Sequence, residues 1–500
     1  MSHAQYNNMH VVYLLWEFVG GVAVFVNREQ ELDFLNSLLK RRRPAPAHLV
    51  LLYGRRRVGK TVLARHWAES TGLPIVYWPA EREPASLQRR KLYARVLDVP
   101  MAQTPTFESW ADLWTAFARG LSGERQILII DEVTYAAESD PAFLSALQHA
   151  WDEHLKQSGL ILILSGSHVH TMETLLARGS PLFGRFTGQW HLQPLEFSAL
   201  RQFLPRWSTD ERVAAYAIVG GVPAYLEWFQ PDRSLVDNIR EVILAPGGLF
   251  IAEPELLLYD EVRDPRVYQA ILQAIGAGVH TLDAISDATI ISKTHLSSYL
   301  SRLRELRLVE RRLPATVPPD RIRVSRMGRY HIADPFLRFY YRFIAPQRAE
   351  VGYRQEDVLA SIQDQLRSFV GVTAFEELCR EWVSRAERMP FRPQQVGSHW
   401  SRHVQVDVVA VSWRDKVVLL GECKWGTDRI PREELTKFLD DTTPKLLRDL
   451  PGQGMGWSVH HAFFSRAGFT PAASAWAKEH SWILVDLRAL DRDLQRPPHS

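Results

Sequence analysis

The chain has 500 residues, of which 46% are hydrophobic and 23% are charged, and its formal net charge is +3. This composition excludes a mostly disordered, collagen-like or coiled-coil protein, and the length favours about three domains. The two cysteines, Cys379 and Cys423, exclude a disulfide scaffold and a four-cysteine zinc site, and they favour a cytoplasmic protein.

An apolar segment at 11–26 precedes the first motif. It is shorter than the roughly 20 apolar residues of a membrane helix, it contains Glu17, and no Lys or Arg precedes it as in a secretory signal. We therefore interpret residues 1–22 as a variable N-terminal extension and expect no association with a membrane. A weak membrane anchor is the alternative.

A phosphate-binding motif follows the first predicted strand, which spans residues 48–53. The motif reads Gly54-Arg55-Arg56-Arg57-Val58-Gly59-Lys60-Thr61 and matches the complete pattern G-x-x-x-x-G-K-[ST]. In this pattern backbone N–H groups surround the phosphates of a nucleotide, and the helix that follows contributes the positive end of its dipole. We expect Lys60 to reach the β- and γ-phosphates and Thr61 to bind Mg²⁺.

A second apolar strand, predicted at 126–130, ends in Asp131 and Glu132. Behind a phosphate-binding loop, this pair predicts that Asp131 binds Mg²⁺ and that Glu132 acts as the general base for the attacking water. Taken alone, such an acid pair is also common at the N-terminus of a helix.

Two further polar residues are candidates for the same site. Ser167 follows a third apolar strand at 160–164, where its side chain could contact the γ-phosphate or the attacking water; an ordinary turn is the alternative. Arg185 follows Pro181-Leu182-Phe183-Gly184 and is a candidate arginine finger, although a lone arginine is as often a surface residue.

The chain resembles the prokaryotic AAA-type ATPases called archaeal ATPases, within the wider STAND-like group of P-loop proteins. The segments that carry this resemblance are Phe25–Leu32, Tyr53–Thr61, Asp131-Glu132, Leu164–Ser167, Leu182–Arg185 and Gly220–Leu226. The resemblance implies that the nucleotide is ATP and that Arg28 lies near its adenine. It also implies that Gly221 and Pro223 belong to a helical lid that packs over the nucleotide.

Residues 265–330 are predicted to form a winged helix. Apolar residues at helical spacing indicate three helices, of which the third follows the N-cap residue Ser292 and spans 294–306. Two wing strands are then expected at 308–313 and 321–324, with a proline-rich tip between them.

The winged-helix segment is basic, with nine arginines against three acids from Arg302 to Arg329, a local charge of +6. Such a winged helix suits DNA, because its third helix can enter the major groove while arginines contact phosphates. Interdomain packing or regulation is the alternative role. The aromatic-rich run at 330–343 could stack on bases, but its helical spacing favours a place in the core.

The C-terminal part begins with a linker and a helix at 346–364, and a second helix is predicted at 375–383. Two apolar strands then flank Trp413–Lys416, which we expect to be the turn of a hairpin. If this hairpin closes symmetrically, Asp407 faces Glu422.

A lysine joins these two carboxylates, because Lys424 shares the strand face of Glu422. A sheet that is apolar on both faces has no ordinary structural reason to keep these three charges together. We expect Asp407 and Glu422 to bind Mg²⁺ or Mn²⁺ and Lys424 to orient or activate a water for attack on a phosphodiester.

This segment resembles the PD-(D/E)xK restriction-endonuclease-like superfamily, through Asp407 and Glu422-Cys423-Lys424. The resemblance implies that Glu376, on the preceding helix, adds an acid to the metal site. Gln405 stands where relatives often carry a glutamate. The motif is short, so a chance match or a degraded site is the alternative.

The sequence as a whole predicts an α/β fold: a P-loop AAA-type ATPase domain with a helical lid, a winged-helix domain and a restriction-endonuclease-like α/β domain. The expected boundaries are 1–22 for the extension, 23–205 for the ATPase domain, 206–262 for the lid, 263–345 for the winged helix and 346–500 for the nuclease-like domain.

The function expected from these motifs is ATP hydrolysis coupled to action on DNA, with Mg²⁺ at the nucleotide and Mg²⁺ or Mn²⁺ at the nuclease-like site. An ATP-dependent switch that binds DNA or a protein partner without cleaving is the alternative, and a chaperone-like ATPase is a third reading. An arginine finger at Arg185 must be supplied by a neighbouring subunit or by domain closure, so a homo-oligomer and a protein partner are alternatives and the oligomeric state stays open.

Overall fold

The structure is a computed structural model that describes residues 25–41, 46–121, 123–262 and 264–496. The extension predicted for residues 1–22 lies outside the described residues. Within the described ranges, none of the helices has both the length and the apolar character needed to cross a bilayer.

The first part of the chain is a parallel sheet with helices on both faces. Its elements are α1 (Glu29–Lys40), β1 (His48–Tyr53), α2 (Lys60–Ser70), β2 (Ile75–Pro79), α3 (Ala85–Leu97), α4 (Trp110–Arg119), β3 (Gln126–Asp131), α5 (Val133–Ser139), α6 (Ala142–Glu153), β4 (Leu160–Gly166), α7 (Val169–Thr174) and β5 (Gly188–His191). The strand order is β2-β3-β4-β1-β5, and all neighbours are parallel.

The strands of this sheet are apolar because both faces are covered. Leu49 and Leu51 of β1 pack into the core on one face, and Val50 and Leu52 pack into the core on the other. The three strands predicted at 48–53, 126–130 and 160–164 are confirmed as β1, β3 and β4, which lie side by side. Their carboxyl ends therefore meet at one edge of the sheet.

A largely helical middle part follows. Its elements are α8 (Leu200–Phe203), α9 (Thr209–Val219), α10 (Pro223–Leu226), α11 (Leu235–Asn238), α12 (Leu249–Glu261), α13 (Pro265–Gly276), α14 (Leu282–Thr289), α15 (Lys293–Glu305), β6 (Val309–Arg312), β7 (Arg329–Ile332) and α16 (Pro335–Phe339). Gly221 lies so close to Leu195 that a Cβ there would overlap the Leu195 carbonyl oxygen, so this entry of the chain into α10 requires glycine.

The third helix of the predicted winged-helix segment is confirmed as α15, with Leu296, Leu300 and Leu303 buried. The second wing strand was predicted at 321–324, and this is wrong. The strand that pairs with β6 is β7, and residues 319–321 form a 3₁₀ turn.

Burial explains where the second strand forms. Proline has no N–H to donate to a strand ladder, and Pro318 and Pro319 turn the chain out to solvent before 321–324. Val324 stays 77% exposed, whereas Ile332 of β7 is 1% exposed. The strand therefore forms where its apolar side chain reaches the core.

The aromatic run after β7 is core, as predicted. Phe336 and Phe339 of α16 are fully buried, and the chain continues as a π-helical turn whose Tyr340, Tyr341 and Phe343 are buried as well. These residues belong to one apolar cluster with residues of α9, α10 and the C-terminal helices. The middle part therefore shares one apolar core with the C-terminal part.

The C-terminal part is a mixed sheet between helices. Its elements are α17 (Gln355–Val370), α18 (Glu376–Arg385), β8 (Gln395–Trp400), β9 (Gln405–Ser412), β10 (Val417–Lys424), α19 (Arg432–Lys437), α20 (Thr443–Asp449), β11 (Ser458–Ser465), α21 (Pro471–Glu479), β12 (Ile483–Asp486) and α22 (Leu487–Leu494). The strand order is β12-β11-β10-β9-β8, antiparallel from β8 to β10 and parallel from β10 to β12.

The predicted hairpin register is confirmed. Val417 pairs with Ser412 and Gly421 pairs with Val408, so the turn is formed by 413–416. Asp407 and Glu422 each lie one residue beyond the last pair of this ladder, Gly421 and Val408.

Candidate functional site

The first candidate site lies at the carboxyl edge of the parallel sheet. The phosphate loop follows β1, Asp131 ends β3, and Ser167 follows β4. Adjacency of these strands brings together residues that are far apart in the sequence, including Lys60 and Glu132. The site predicted from the motifs is thus assembled by the strand order.

Lys60 lies at the centre of this site and is 5% exposed. Its ammonium group donates to the carbonyl oxygens of Gly54 at 2.9 Å and Arg55 at 3.0 Å, and to Ser167 Oγ at 2.9 Å. Burial lowers the pKa of Lys60, and the carboxylates of Glu132 and Asp131 oppose that shift. These donors are directed into the loop, where phosphate oxygens are bound in P-loop proteins.

Thr61 and Asp131 form the expected magnesium pair. Thr61 Oγ1 donates to Asp131 Oδ2 at 2.5 Å. A hydroxyl and a carboxylate are hard oxygen ligands, which Mg²⁺ prefers, so the two side chains fit this metal.

A residue missed by the sequence analysis supports the same carboxylate. The hydroxyl of Tyr77, on β2, donates to Asp131 Oδ2 at 3.1 Å. Burial and the charge of Asp131 raise the pKa of Tyr77, so its hydroxyl remains a donor. No motif marks Tyr77; its signal is the strand pairing, in which Pro79 lies beside Asp131.

Glu132 is held by Ser167. The Glu132 carboxylate accepts from the Ser167 backbone N–H at 3.1 Å and also from the Ser167 hydroxyl. Glu132 has a positive φ of 50°, an uncommon conformation that turns its side chain toward the end of β4. Because Lys60 donates to the same hydroxyl, Ser167 joins the predicted base to the predicted phosphate ligand.

The three arginines of the phosphate loop have separate partners. The guanidinium of Arg55 contacts the carboxylate of Asp334 and donates to the hydroxyl of Tyr225 at 3.3 Å. Arg56 donates to the hydroxyl of Tyr135 at 3.2 Å.

Arg57 forms the third of these contacts. It donates to both carboxylate oxygens of Glu253, at 2.6 and 2.8 Å, and Tyr225 donates to the same carboxylate at 3.0 Å. Tyr225 lies on α10 and Glu253 on α12, so the segment predicted as a lid does contact the phosphate loop. The sequence contains no signal for these pairings.

The two remaining arginines predicted for the nucleotide site lie at its periphery. Arg28 donates to the carbonyl oxygens of Val58 and Gln193, both at 3.0 Å, and thus braces the phosphate loop. Arg185 is instead bound to Asp152, with its Nη2 at 2.6 Å from Asp152 Oδ2. The structure therefore does not bring Arg185 together with Lys60.

The second candidate site lies at the end of the β9–β10 hairpin. Asp407 Oδ2 accepts from the backbone N–H of Cys423 at 3.0 Å, and Lys424 donates to Glu422 Oε1 at 2.8 Å. Burial raises the pKa of Asp407, and burial together with the charge of Asp407 raises that of Glu422. The charge of Asp407 therefore acts on Glu422, while the Cys423 N–H, Lys424 and Arg380 oppose the effect of burial on Asp407.

Glu376 of α18 belongs to the same carboxylate cluster, which we define as Glu376, Asp407 and Glu422. Burial and the nearby Asp407 raise the pKa of Glu376 to about 8. Arg380 donates to Glu376 at 3.2 Å and to the Asp407 carbonyl oxygen at 2.9 Å. The sequence prediction that these acids converge with Lys424 agrees with this arrangement.

The carboxylate cluster is chemically suited to a divalent metal, since buried carboxylates that repel one another are stabilised by a cation. In the described part of the chain, however, no three His, Cys, Asp or Glu side chains are arranged to bind a metal together. In this arrangement Lys424 contacts Glu422 and Arg380 contacts Glu376.

Comparison with protein families gives two matches. A family described as "ATPase domain predominantly from Archaea" matches residues 25–229, and one described as "Archaea bacterial proteins of unknown function" matches residues 340–437. The uncharacterized protein MJECL04 of Methanocaldococcus jannaschii is 32% identical over 406 residues, which cover 80% of this chain and 88% of that protein. The uncharacterized ATP-binding protein MJ0423 of the same organism is 46% identical over 50 residues, or 10% of this chain and 80% of that protein.

Solved structures similar to this chain include the Walker-type ATPase PABY2304 of Pyrococcus abyssi. It covers 64% of this chain and 96% of its own, with 21% identity and a TM-score of 0.46. The Aeropyrum pernix ORC2 protein, solved as ADPNP–ADP complexes, covers 69% of this chain and 98% of its own, with 14% identity and a TM-score of 0.45.

Proposed function

The chain belongs to the ATPase family that is found predominantly in Archaea, and on this premise we propose that it couples ATP hydrolysis to the cleavage of DNA. In this proposal residues 23–205 and 206–262 are the ATPase domain and its lid, 263–345 is a winged helix that binds DNA, and 346–500 is a metal-dependent nuclease-like domain.

The residues around the phosphate loop support hydrolysis. Lys60 exchanges its contacts with loop carbonyl oxygens for phosphate oxygens, while Thr61 and Asp131 are the residues that would hold Mg²⁺. When bound, this ion neutralises charge on the β- and γ-phosphates. Glu132, oriented by Ser167, accepts the proton of the attacking water.

Arg185 enters this scheme only after a rearrangement. The guanidinium of Arg185 donates to both carboxylate oxygens of Asp152. Such bidentate arginine–carboxylate pairs are stronger than single hydrogen bonds between neutral groups. We propose that Arg185 acts as an arginine finger only on the nucleotide of a second copy of the chain, after release from Asp152.

The winged-helix segment supports DNA as the partner. Arg321, Arg323 and Arg326 are exposed on the loop between β6 and β7, and Arg304 is exposed on α15. Clustered exposed arginines contact phosphates without sequence preference, and the local charge of +6 from Arg302 to Arg329 provides the attraction.

The observation that carries the nuclease assignment is the convergence of Asp407, Glu422 and Lys424 at one end of a hairpin in the predicted register. Asp407 and Glu422 would hold Mg²⁺ or Mn²⁺, which when bound neutralises charge on the phosphodiester. Lys424 orients the attacking water and stabilises the negative charge of the transition state.

The decisive experiment compares DNA cleavage by the wild type, Asp407→Asn and a matched variant, Asp415→Asn. Asp415 lies in the turn of the same hairpin and contacts Ser412, outside the carboxylate cluster. With Mg²⁺ or Mn²⁺, with and without ATP, we expect Asp407→Asn to lose cleavage at least about a hundredfold while ATP turnover is unchanged. Asp415→Asn should retain both activities, and cleavage that survives in Asp407→Asn would reject the assignment.

A second candidate function is an ATP-dependent switch that binds DNA or protein without cleavage. It is favoured by the contacts that Lys424 and Arg380 make with Glu422 and Glu376, since these contacts satisfy the carboxylates without a metal. For this function, Lys60→Ala abolishes ATP turnover and no metal supports cleavage. DNA affinity that falls steeply with salt separates a DNA-binding switch from a chaperone-like ATPase.

A further inference from the structure

A line of charged contacts leads from the phosphate loop toward the carboxylate cluster. It begins at Arg55, whose guanidinium contacts the carboxylate of Asp334. The Asp334 side chain is 7% exposed, and it also caps α16 by accepting from the Leu337 N–H at 2.8 Å. Arg55 therefore neutralises a buried charge at the N-terminus of this helix.

The next charged residue in this series of contacts, Arg338, lies on α16 as well. Arg338 lies one turn beyond Asp334, and its N–H donates to the Asp334 carbonyl oxygen at 2.9 Å. The Arg338 guanidinium lies 3.0 Å from Glu377, which Arg312 of β6 also contacts at 2.6 Å. α16 is thus bound to the phosphate loop at one end and to Glu377 at the other.

Glu377 is adjacent to an acid of the carboxylate cluster. It follows Glu376 in the first turn of α18, so any displacement of Glu377 moves Glu376 relative to Asp407. Both guanidinium groups contact the same oxygen of Glu377, Oε1. The ion pairs with Arg338 and Arg312 therefore hold the start of α18 in its present position.

We propose that Asp334 and Glu377 are positioning residues that make the geometry of the carboxylate cluster depend on nucleotide in the phosphate loop. Phosphate oxygens compete with Asp334 for Arg55. A buried carboxylate that loses its cation is unfavourable, so Asp334 and α16 shift, and Arg338 carries the shift to α18. Glu376 then leaves Arg380 and approaches Asp407, which completes a site that the present side-chain positions do not form.

This inference rests on the proposed function for the role of the cluster, but its central readout does not need cleavage. Amide hydrogen exchange on the full chain, with and without a non-hydrolysable ATP analogue and Mg²⁺, reports movement of 335–339 and 376–385 directly. Mn²⁺ also binds with nucleotide at Thr61 and Asp131, so the part of the calorimetric Mn²⁺ binding that is lost in Asp407→Asn reports the cluster. The variants are Asp334→Asn and Glu377→Gln, and Asp486→Asn is the matched control because Asp486 caps α22 at 2.8 Å, away from this line.

In the wild type and in Asp486→Asn, we expect nucleotide to change exchange in both segments and to raise Mn²⁺ affinity about threefold or more. Asp334→Asn and Glu377→Gln should bind nucleotide yet lose the response of 376–385. A residue that is merely structural would change stability and leave this nucleotide-dependent difference intact.

Two results would overturn the inference: exchange in 376–385 that ignores nucleotide in the wild type, or a full response that persists in both variants. Failure of the proposed function looks different. The nuclease assignment fails if the wild type neither binds Mn²⁺ at the cluster nor cuts DNA. The positioning role of Asp334 still stands in that case if nucleotide changes exchange in 376–385 and Asp334→Asn abolishes that change.

Discussion

The carboxylate of Glu253 holds Arg57 of the phosphate loop through two hydrogen bonds, at 2.6 and 2.8 Å. The pair is largely shielded from solvent, since the Glu253 side chain is 3% and the Arg57 side chain 18% exposed. It fastens α12, and Tyr225 of α10 with it, to the loop that is expected to bind ATP.

Loss of Arg57 should destabilise the protein because it leaves Glu253 buried without its cation. We expect Arg57→Ala to reduce the free energy of unfolding by about 3 kcal/mol, measured by urea denaturation with tryptophan fluorescence. Arg206→Ala is the control, because the Arg206–Asp232 pair is exposed and should contribute less than about 1 kcal/mol. Equal losses in the two variants would contradict the importance of the Arg57–Glu253 pair.

Ser167 should matter for turnover more than for nucleotide binding. Ser167→Ala removes the hydroxyl that orients Glu132, so we expect kcat for ATP to fall about tenfold or more while nucleotide affinity changes by less than about threefold. Ser165→Ala is a matched control, because the Ser165 hydroxyl is buried near the end of β4, two residues before Ser167, and has no hydrogen-bond partner among the described residues. Its kcat should equal that of the wild type.

The carboxylate cluster should make stability depend on pH in metal-free buffer. Burial raises the pKa of Glu376 to about 8, so between about pH 5 and pH 8 the folded chain binds more protons than the unfolded chain. The contribution of Glu376 to the free energy of unfolding should therefore fall by about 4 kcal/mol as pH rises through this window.

A glutamine at position 376 removes this titration, so the stability of Glu376→Gln should fall less over the same window. Glu433→Gln, on exposed α19, should follow the wild type. Thermal unfolding at a series of pH values measures both. Buried histidines such as His461, whose pKa burial lowers to about 4, act in the opposite direction over part of this range, so the test is the difference between variants. Equal pH dependence in the wild type and in Glu376→Gln would contradict the raised pKa of Glu376.

The loop between β6 and β7 should account for much of the salt dependence of DNA binding. Replacing Arg321, Arg323 and Arg326 together by glutamine should weaken binding to duplex DNA. It should also lower the slope of log affinity against log salt by about 0.9 for each phosphate contact removed. Fluorescence anisotropy over a salt series measures the slope, and Arg206→Gln serves as a control on a distant exposed arginine. An unchanged slope in the triple variant would exclude this loop from the DNA interface.

The features that depend on residues close together in the sequence could be predicted. The phosphate loop lies between β1 and α2 as its motif requires, and the hairpin register follows from a turn centred between Arg414 and Asp415. The second wing strand was misplaced because 321–324 has the residue types of a strand, whereas the core contact that stabilises a strand is made by Ile332.

The sequence by itself determined the motifs of this protein: a loop that can surround phosphates, a strand that ends in Asp131 and is followed by Glu132, and a hairpin whose register is set by the turn at 413–416. These features depend on local backbone geometry and strand alternation, which adjacent residues encode.

Only the tertiary structure decided which residues pair with the arginines of the phosphate loop. Arg55 and Arg57 meet Asp334, Tyr225 and Glu253, of which Glu253 is 196 residues from Arg57. Such pairs form because packing of the helical middle part against the sheet buries these charges together, and a buried charge requires a partner. No spacing in the sequence predicts these pairs, because the partner of each arginine depends on which distant residues the fold brings next to it.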